Sequence, residues 1–111
     1  NEEQILTALK DNDDCTGIIC FSDVIALQVC YYLKRLDRTV PDSKSVIGFD
    51  NIASKFYLPL MLTSVTSSKT KMSNKAVETL MEIINNESDS VYQYVLPTKI
   101  ISRESTKKVS N

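Results

Sequence analysis

Two continuous apolar runs constrain this chain more than anything else in it. Gly17-Ile18-Ile19-Cys20-Phe21 and Ser45-Val46-Ile47-Gly48-Phe49 both lack the apolar–polar alternation of a strand with one wet face. Runs of strand length without alternation point to strands covered on both faces, as in a parallel sheet. Between them, about Asp23 to Leu36 carries apolar residues at helical spacing, and no hairpin turn signal intervenes. Strand, helix, strand without a hairpin is a βαβ unit, right-handed by the usual rule. Ser22 and Asp23 follow the first strand at once and are both good helix N-cap residues, while Pro41 punctuates the loop after the helix.

The flanking segments fit the same α/β class. Glu2–Asn12 reads as a short helix with Ile5, Leu6 and Leu9 on one side. A short strand is expected at Leu62–Val65, then a helix at about Lys69–Ile84 with Met72, Ala76, Leu80 and Ile83 as its buried stripe. Asn85–Asp89 reads as a polar turn. Two short strands, Tyr92–Leu96 and Lys99–Arg103, are expected on either side of Pro97. The last residues, Thr106–Asn111, should fray, with Lys107 and Lys108 solvated. A length of 111 residues suits one domain, residues 1–111.

Composition removes whole classes of chemistry. The sequence has no His, so His general bases, triads and His metal ligands are absent. It has two glycines, Gly17 and Gly48, too few for a phosphate-cradling glycine loop. The formal charge of −1 gives no global attraction to nucleic acid. No apolar run approaches a membrane span, and no basic stretch followed by an apolar one opens the chain, so neither a membrane segment nor a secretory leader is expected. The cysteines, Cys15, Cys20 and Cys30, are odd in number and match no zinc spacing. Reduced, buried thiols are the expectation, with Cys15 in the most polar setting. No nucleophile–base pair, metal constellation or cofactor motif is readable.

The helix Asp23–Leu36 has two apolar lines. Ala26, Val29, Cys30 and Leu33 suffice to cover a sheet, yet Val24, Leu27 and Tyr31 form a second line well around the wheel. The second line needs either an intramolecular neighbour, such as the N-terminal helix, or another subunit. Both strands end in small polar groups, Phe21-Ser22-Asp23 and Phe49-Asp50-Asn51. Ligands of open parallel sheets bind at such ends. Asp23 reads first as a helix cap. Asp50 reads equally as a turn-forming residue or as a carboxylate accepting hydrogen bonds from paired ligand hydroxyls, with a neighbouring Phe as a stacking face.

Several runs, in order and spacing, resemble one family. They are Phe21-Ser22-Asp23 with Ala26-Leu27, Val40-Pro41-Asp42, Ser45-Val46-Ile47-Gly48-Phe49-Asp50-Asn51, Leu62-Thr63-Ser64-Val65, Ala76-Val77-Glu78, Leu96-Pro97-Thr98 and Ser102-Arg103-Glu104-Ser105-Thr106. Together they resemble the C-terminal part of the effector-binding domain of LacI/GalR bacterial transcription regulators, from about Thr16 to Thr106. Departures include Gln28 for the usual Gly, Asp37-Arg38 for Gly-Leu, and Lys44 at an apolar position.

The resemblance implies a βαβ parallel-sheet layer like the C-terminal subdomain of a type I periplasmic-binding-protein fold, truncated, without the helix-turn-helix, the hinge and most of the N-terminal subdomain. It implies a cytoplasmic, non-enzymatic repressor module that binds a sugar or related effector, forms a homodimer, and meets operator DNA only through the missing N-terminal domain. Asp50 matches the effector-contacting Asp, Phe21 a pocket-floor position, Ser22 a position where many members have Asn, and Ser67 one where many have Gln. Leu27 matches the helix of the family's dimer interface, which assigns Val24, Leu27 and Tyr31 to a partner subunit. A solute-binding receptor of sugar transport is the competing function, and an enzyme on a flavodoxin-like sheet the weaker third.

Overall fold

In the computed structural model, residues 1–86 and 89–110 are described. The elements in chain order are α1 (Glu2–Asp11), β1 (Gly17–Ile19), α2 (Asp23–Arg35), β2 (Ser45–Phe49), a 3-10 turn (Ile52–Ser54), β3 (Thr63–Ser67), α3 (Lys69–Asn86) and β4 (Thr98–Ile101). The strands form one sheet in the order β1-β2-β3-β4, with β1–β2 and β2–β3 parallel. Ile18 pairs with Val46, Ile47 with Thr63 and Gly48 with Ser64. The βαβ reading and the α/β class are therefore correct. The chain forms two compact units, Asn1–Thr66 with Ile100–Asn111, and Ser67–Lys99.

In the first unit, α1 starts in a capping box. Asn1 accepts from the Gln4 amide while the Gln4 side chain reaches back to the N-terminus, with Glu2 and Glu3 at the positive end of the helix. α2 is capped by Ser22, which is extended and whose Oγ accepts from the Ile25 amide at 3.3 Å. Ala26, Val29 and Leu33 of α2 lie on Val46, Leu58, Leu62 and Cys20 to make the core, and Ile5 and Leu9 of α1 pack against it. Each fully buried Leu or Val here stabilises by roughly 1.5–3 kcal/mol.

Polar groups stitch the layer where apolar ones cannot. Buried Ser105 accepts from the Thr63 amide at 2.8 Å and donates to the Val46 carbonyl at 2.6 Å, so one hydroxyl joins β2 to β3. Lys44 is buried, and its Nζ donates to the carbonyls of Asp13 and Cys15. An ammonium where the resemblance implies an apolar residue thus closes the loop before β1, because it finds carbonyl partners that offset its desolvation.

Four expectations need correction. β1 is only three residues long and is covered on one side: Ile19 is 83% exposed and Phe21 88%. Unbroken apolar character had stood for two-sided burial, but α2 covers only the face that carries Ile18 and Val46. Tyr92–Leu96 forms no strand, and β4 begins at Thr98, directly after Pro97, whose ring removes an amide donor. The chain end does not simply fray: the Lys107 amide donates to Ser45 Oγ at 3.2 Å and its Nζ to Asp42 at 2.7 Å. The polar turn at Asn85–Asp89 falls partly outside the described residues.

The fourth correction concerns the second unit. No described residue of α3 is buried, and Met72 and Leu80 are about half exposed. Tyr94, Val95 and Leu96 line a groove with Lys71, Asn74, Lys75 and Glu78, the polar side of the helix. Lys75 Nζ sits 4.4 Å from the centre of the Tyr94 ring, a cation–π contact. The Met72–Leu80 stripe is left on the other side, with Ile83 partly covered.

Candidate ligand site at the strand ends

The parallel register sets Ile19 beside Ile47, and the Cys20 amide donates to the Ile47 carbonyl at 2.8 Å. Phe21 and Ser22 therefore leave β1 at the same sheet end at which Asp50 leaves β2. Ser22 is committed to capping α2, and Phe21 turns its ring to solvent. Asp50 is exposed, and among the described residues its carboxylate has no hydrogen-bond or ion-pair partner. Ser67 is the last residue of β3, partly buried, and opens the second unit, so its candidacy stands on its motif position.

The backbone under Asp50 is unusual. Asp50 has φ 98° and Asn51 φ 56°, two successive left-handed residues with neither a glycine. Such conformations cost on the order of 1–3 kcal/mol each and persist only where the surroundings over-determine them. Here three successive amides are held by three different acceptors. Asp50 N–H donates to the Val65 carbonyl at 3.0 Å, Asn51 N–H to Ser64 Oγ at 3.0 Å, and Ile52 N–H to Asp23 Oδ2 at 2.8 Å. Ser64 Oγ in turn donates to Asp23 Oδ1 at 2.7 Å. Arg103 closes the set: one guanidinium nitrogen donates to Asn51 Oδ1 at 2.6 Å and the other to the Leu62 carbonyl at 2.8 Å.

Asp23 is thus not the cap it reads as. Ser22 caps the helix, and Asp23, fully buried, turns back to grip the β2–3-10 connection. Sequence reading also passed over Asn51, Ser64 and Arg103 as site-building residues. Asn beside Asp after a strand is a signal for left-handed backbone. Nothing local marks Ser64 or Arg103, which act across more than ten residues of chain.

Burial pushes the Cys20 thiol up, and burial together with Cys20 close by pushes Cys30 to about 11. Neither is a thiolate near neutral pH. Among the described residues no group of Cys, Asp and Glu could hold a metal ion. What the site offers is an exposed carboxylate on a backbone held through three amides, at the same sheet end as the exposed Phe21 ring.

The outer side of α2 carries the other candidates. Val24 and Tyr31 are each 59% exposed and Leu27 is partly covered. Leu27, Cys30, Tyr31, Val40, Pro59 and Leu60 line an open, mostly apolar groove of about 700 Å³. α1 does not line it, although it packs elsewhere on α2 and pairs Glu2 with Arg35 at 2.7 Å.

Residues 2–106 match the family model described as a periplasmic binding protein-like domain. The chain belongs to that family. Within it, the chain corresponds to part of the effector-binding domain of LacI/GalR regulators. It is 36% identical over 98 residues to the HTH-type transcriptional repressor PurR of Haemophilus influenzae (strain PittEE), covering 85% of this chain and 29% of that protein. It is similar to a solved structure of a periplasmic binding protein/LacI transcriptional regulator from Alkaliphilus metalliredigens complexed with D-xylulofuranose. There the TM-score is 0.77 at 29% identity, over 96% of this chain and 41% of that one. A LacI family regulator from Arthrobacter sp. FB24, in complex with lactose, aligns with a TM-score of 0.78 at 27% identity, over 96% of this chain and 41% of that one. The chain spans about a third of the length of the curated relatives it matches.

Proposed function

We propose that this periplasmic binding protein-like chain is the effector-sensing and dimerisation module of a cytoplasmic, non-enzymatic LacI/GalR-type repressor. Its ligand is a sugar or a related polyhydroxylated molecule. Asp50 accepts hydrogen bonds from ligand hydroxyls, Phe21 stacks on an apolar ligand face, and Ser22 and Ser67 add polar contacts. Val24, Leu27 and Tyr31 meet a second subunit. Operator DNA is bound by a helix-turn-helix that relatives named HTH-type carry and that ligand binding here would modulate. The sugars in the two solved neighbours support the ligand class.

The observation that carries this reading is the free Asp50 carboxylate on a backbone pinned by three amides. A carboxylate that must meet paired hydroxyls gains affinity from being fixed beforehand. Calorimetry of D-xylulose, D-ribose and lactose against wild type and Asp50→Ala tests it. A charged hydrogen bond contributes about 1.5–3 kcal/mol, so Asp50→Ala should weaken binding about tenfold or more. Binding of equal strength in both proteins would reduce Asp50 to a turn residue.

A further inference from the structure

We propose that Asp23 is a positioning residue for the ligand site: it touches no ligand, yet it fixes the backbone that aims Asp50. The proposal rests on the reading of Asp50 as a ligand contact and adds the group that holds it in place.

Three observations converge. Asp23 is completely buried, and both its oxygens are used, Oδ1 by Ser64 Oγ at 2.7 Å and Oδ2 by the Ile52 amide at 2.8 Å. One bond holds the residue that follows the left-handed pair Asp50-Asn51, and the other goes to Ser64 on β3. Ser64 Oγ also accepts the Asn51 amide at 3.0 Å, so a single carboxylate governs, directly or through one hydroxyl, two of the three amides under Asp50. The sheet is shaped to admit it: a Cβ at residue 48 would lie 2.1 Å from Asp23 Oδ1, so only glycine lets the carboxylate through. A residue serving α2 alone would need none of this, since Ser22 already caps the helix.

Asp50 at φ 98° and Asn51 at φ 56° would relax toward ordinary backbone if released. The carboxylate of Asp50 would then sample many directions, and a ligand would have to select the productive one. That lowers apparent affinity by the populated fraction without removing any ligand contact.

The test reads amide hydrogen exchange by NMR in the 111-residue chain, for wild type, Asp23→Ala, Asp23→Asn and Ser64→Ala. Asp23→Ala should speed exchange at Ile52 at least tenfold beyond any change at the core amides of Val46 and Leu62. Asp23→Asn keeps an acceptor for Ile52 and should stay within about threefold of wild type. Ser64→Ala should speed Asn51 in the same local way, and answers the question if Asp23→Ala fails to fold. Unchanged exchange at Ile52 and Asn51, or acceleration equal to that of Val46 and Leu62, would overturn the proposal and leave Asp23 a general stability residue. Titration of the same proteins with D-ribose, D-xylulose and lactose adds the functional arm. Weaker binding by Asp23→Ala, restored by Asp23→Asn, supports positioning. Undiminished binding despite faster exchange overturns it. Undiminished binding by Asp50→Ala instead sinks the ligand reading, and leaves the exchange result standing.

Discussion

Gly48 and Asp23 occupy one space: the Cα of Gly48 faces the Asp23 carboxylate so closely that a methyl group there would sit 2.1 Å from Oδ1 and 3.0 Å from the Asp23 Cα. Gly48 is conformationally ordinary, with no positive φ, so its requirement is one of volume and not of backbone freedom. The strand that leads into Asp50 and the helix bearing Leu27 meet at this contact.

Gly48→Ala should therefore destabilise the chain by about 1–3 kcal/mol or more, because Asp23 must move and give up its bonds to Ser64 and Ile52. Gly17→Ala is the control. A Cβ there meets nothing within 4 Å, and the change should be neutral or should stabilise by a few tenths up to about 1 kcal/mol. Urea unfolding of both variants checks the pair. Equal midpoints would show that Asp23 has room to spare.

The acid limb of stability should carry the mark of Asp13. The hydrogen bond from Arg38, reinforced by the charges of Arg38 and Lys44, holds its carboxyl down from 3.8 to about 2. A depressed carboxyl pKa stabilises the fold fully above the unfolded value and loses that contribution as pH falls through the folded one. The difference in urea midpoint between wild type and Asp13→Asn should be full near neutral pH and shrink from about pH 4 down to about pH 2. A difference that stays constant across that window would mean that the ion pair does not couple to folding.

Assembly should depend on Leu27. Burying it against a symmetry mate stabilises by roughly 1.5–3 kcal/mol per protomer, counted twice across a two-fold axis. Leu27→Lys would place two charges opposite each other and should shift a dimer strongly toward monomer in sedimentation at micromolar concentration. A monomeric wild type, or a variant as dimeric as wild type, would contradict the assignment of this face.

The skeleton of the fold was legible because local signals agreed. The apolar run at Ser45–Phe49 set β2 to the residue, and Ser22 marked the start of α2. Burial was less legible. The run Gly17–Phe21 names an apolar strand, but not whether this chain supplies a cover for its second face. The stripe of α3 failed in the same way. At the site, Asp50, Phe21 and Ser22 came from motif position, and the strand ends placed them together. The machinery beneath them did not, because Asp23, Ser64 and Arg103 act through side chains that meet only after the sheet has formed. Asp23 looked like a cap because Asp after a strand usually is one.

The position of a bound sugar on the chain tests the Asp50 site most directly. Amide shift changes on titration of D-xylulose, D-ribose and lactose to millimolar concentration would show where in the chain a sugar sits. Saturable changes should centre on Phe21–Asp23 and Asp50–Ile52, with no comparable changes in the Leu27–Tyr31 groove, and should be lost in Asp50→Ala. No shift with any of these sugars, or shifts centred away from the two strand ends, would contradict the reading of Asp50 as a ligand contact.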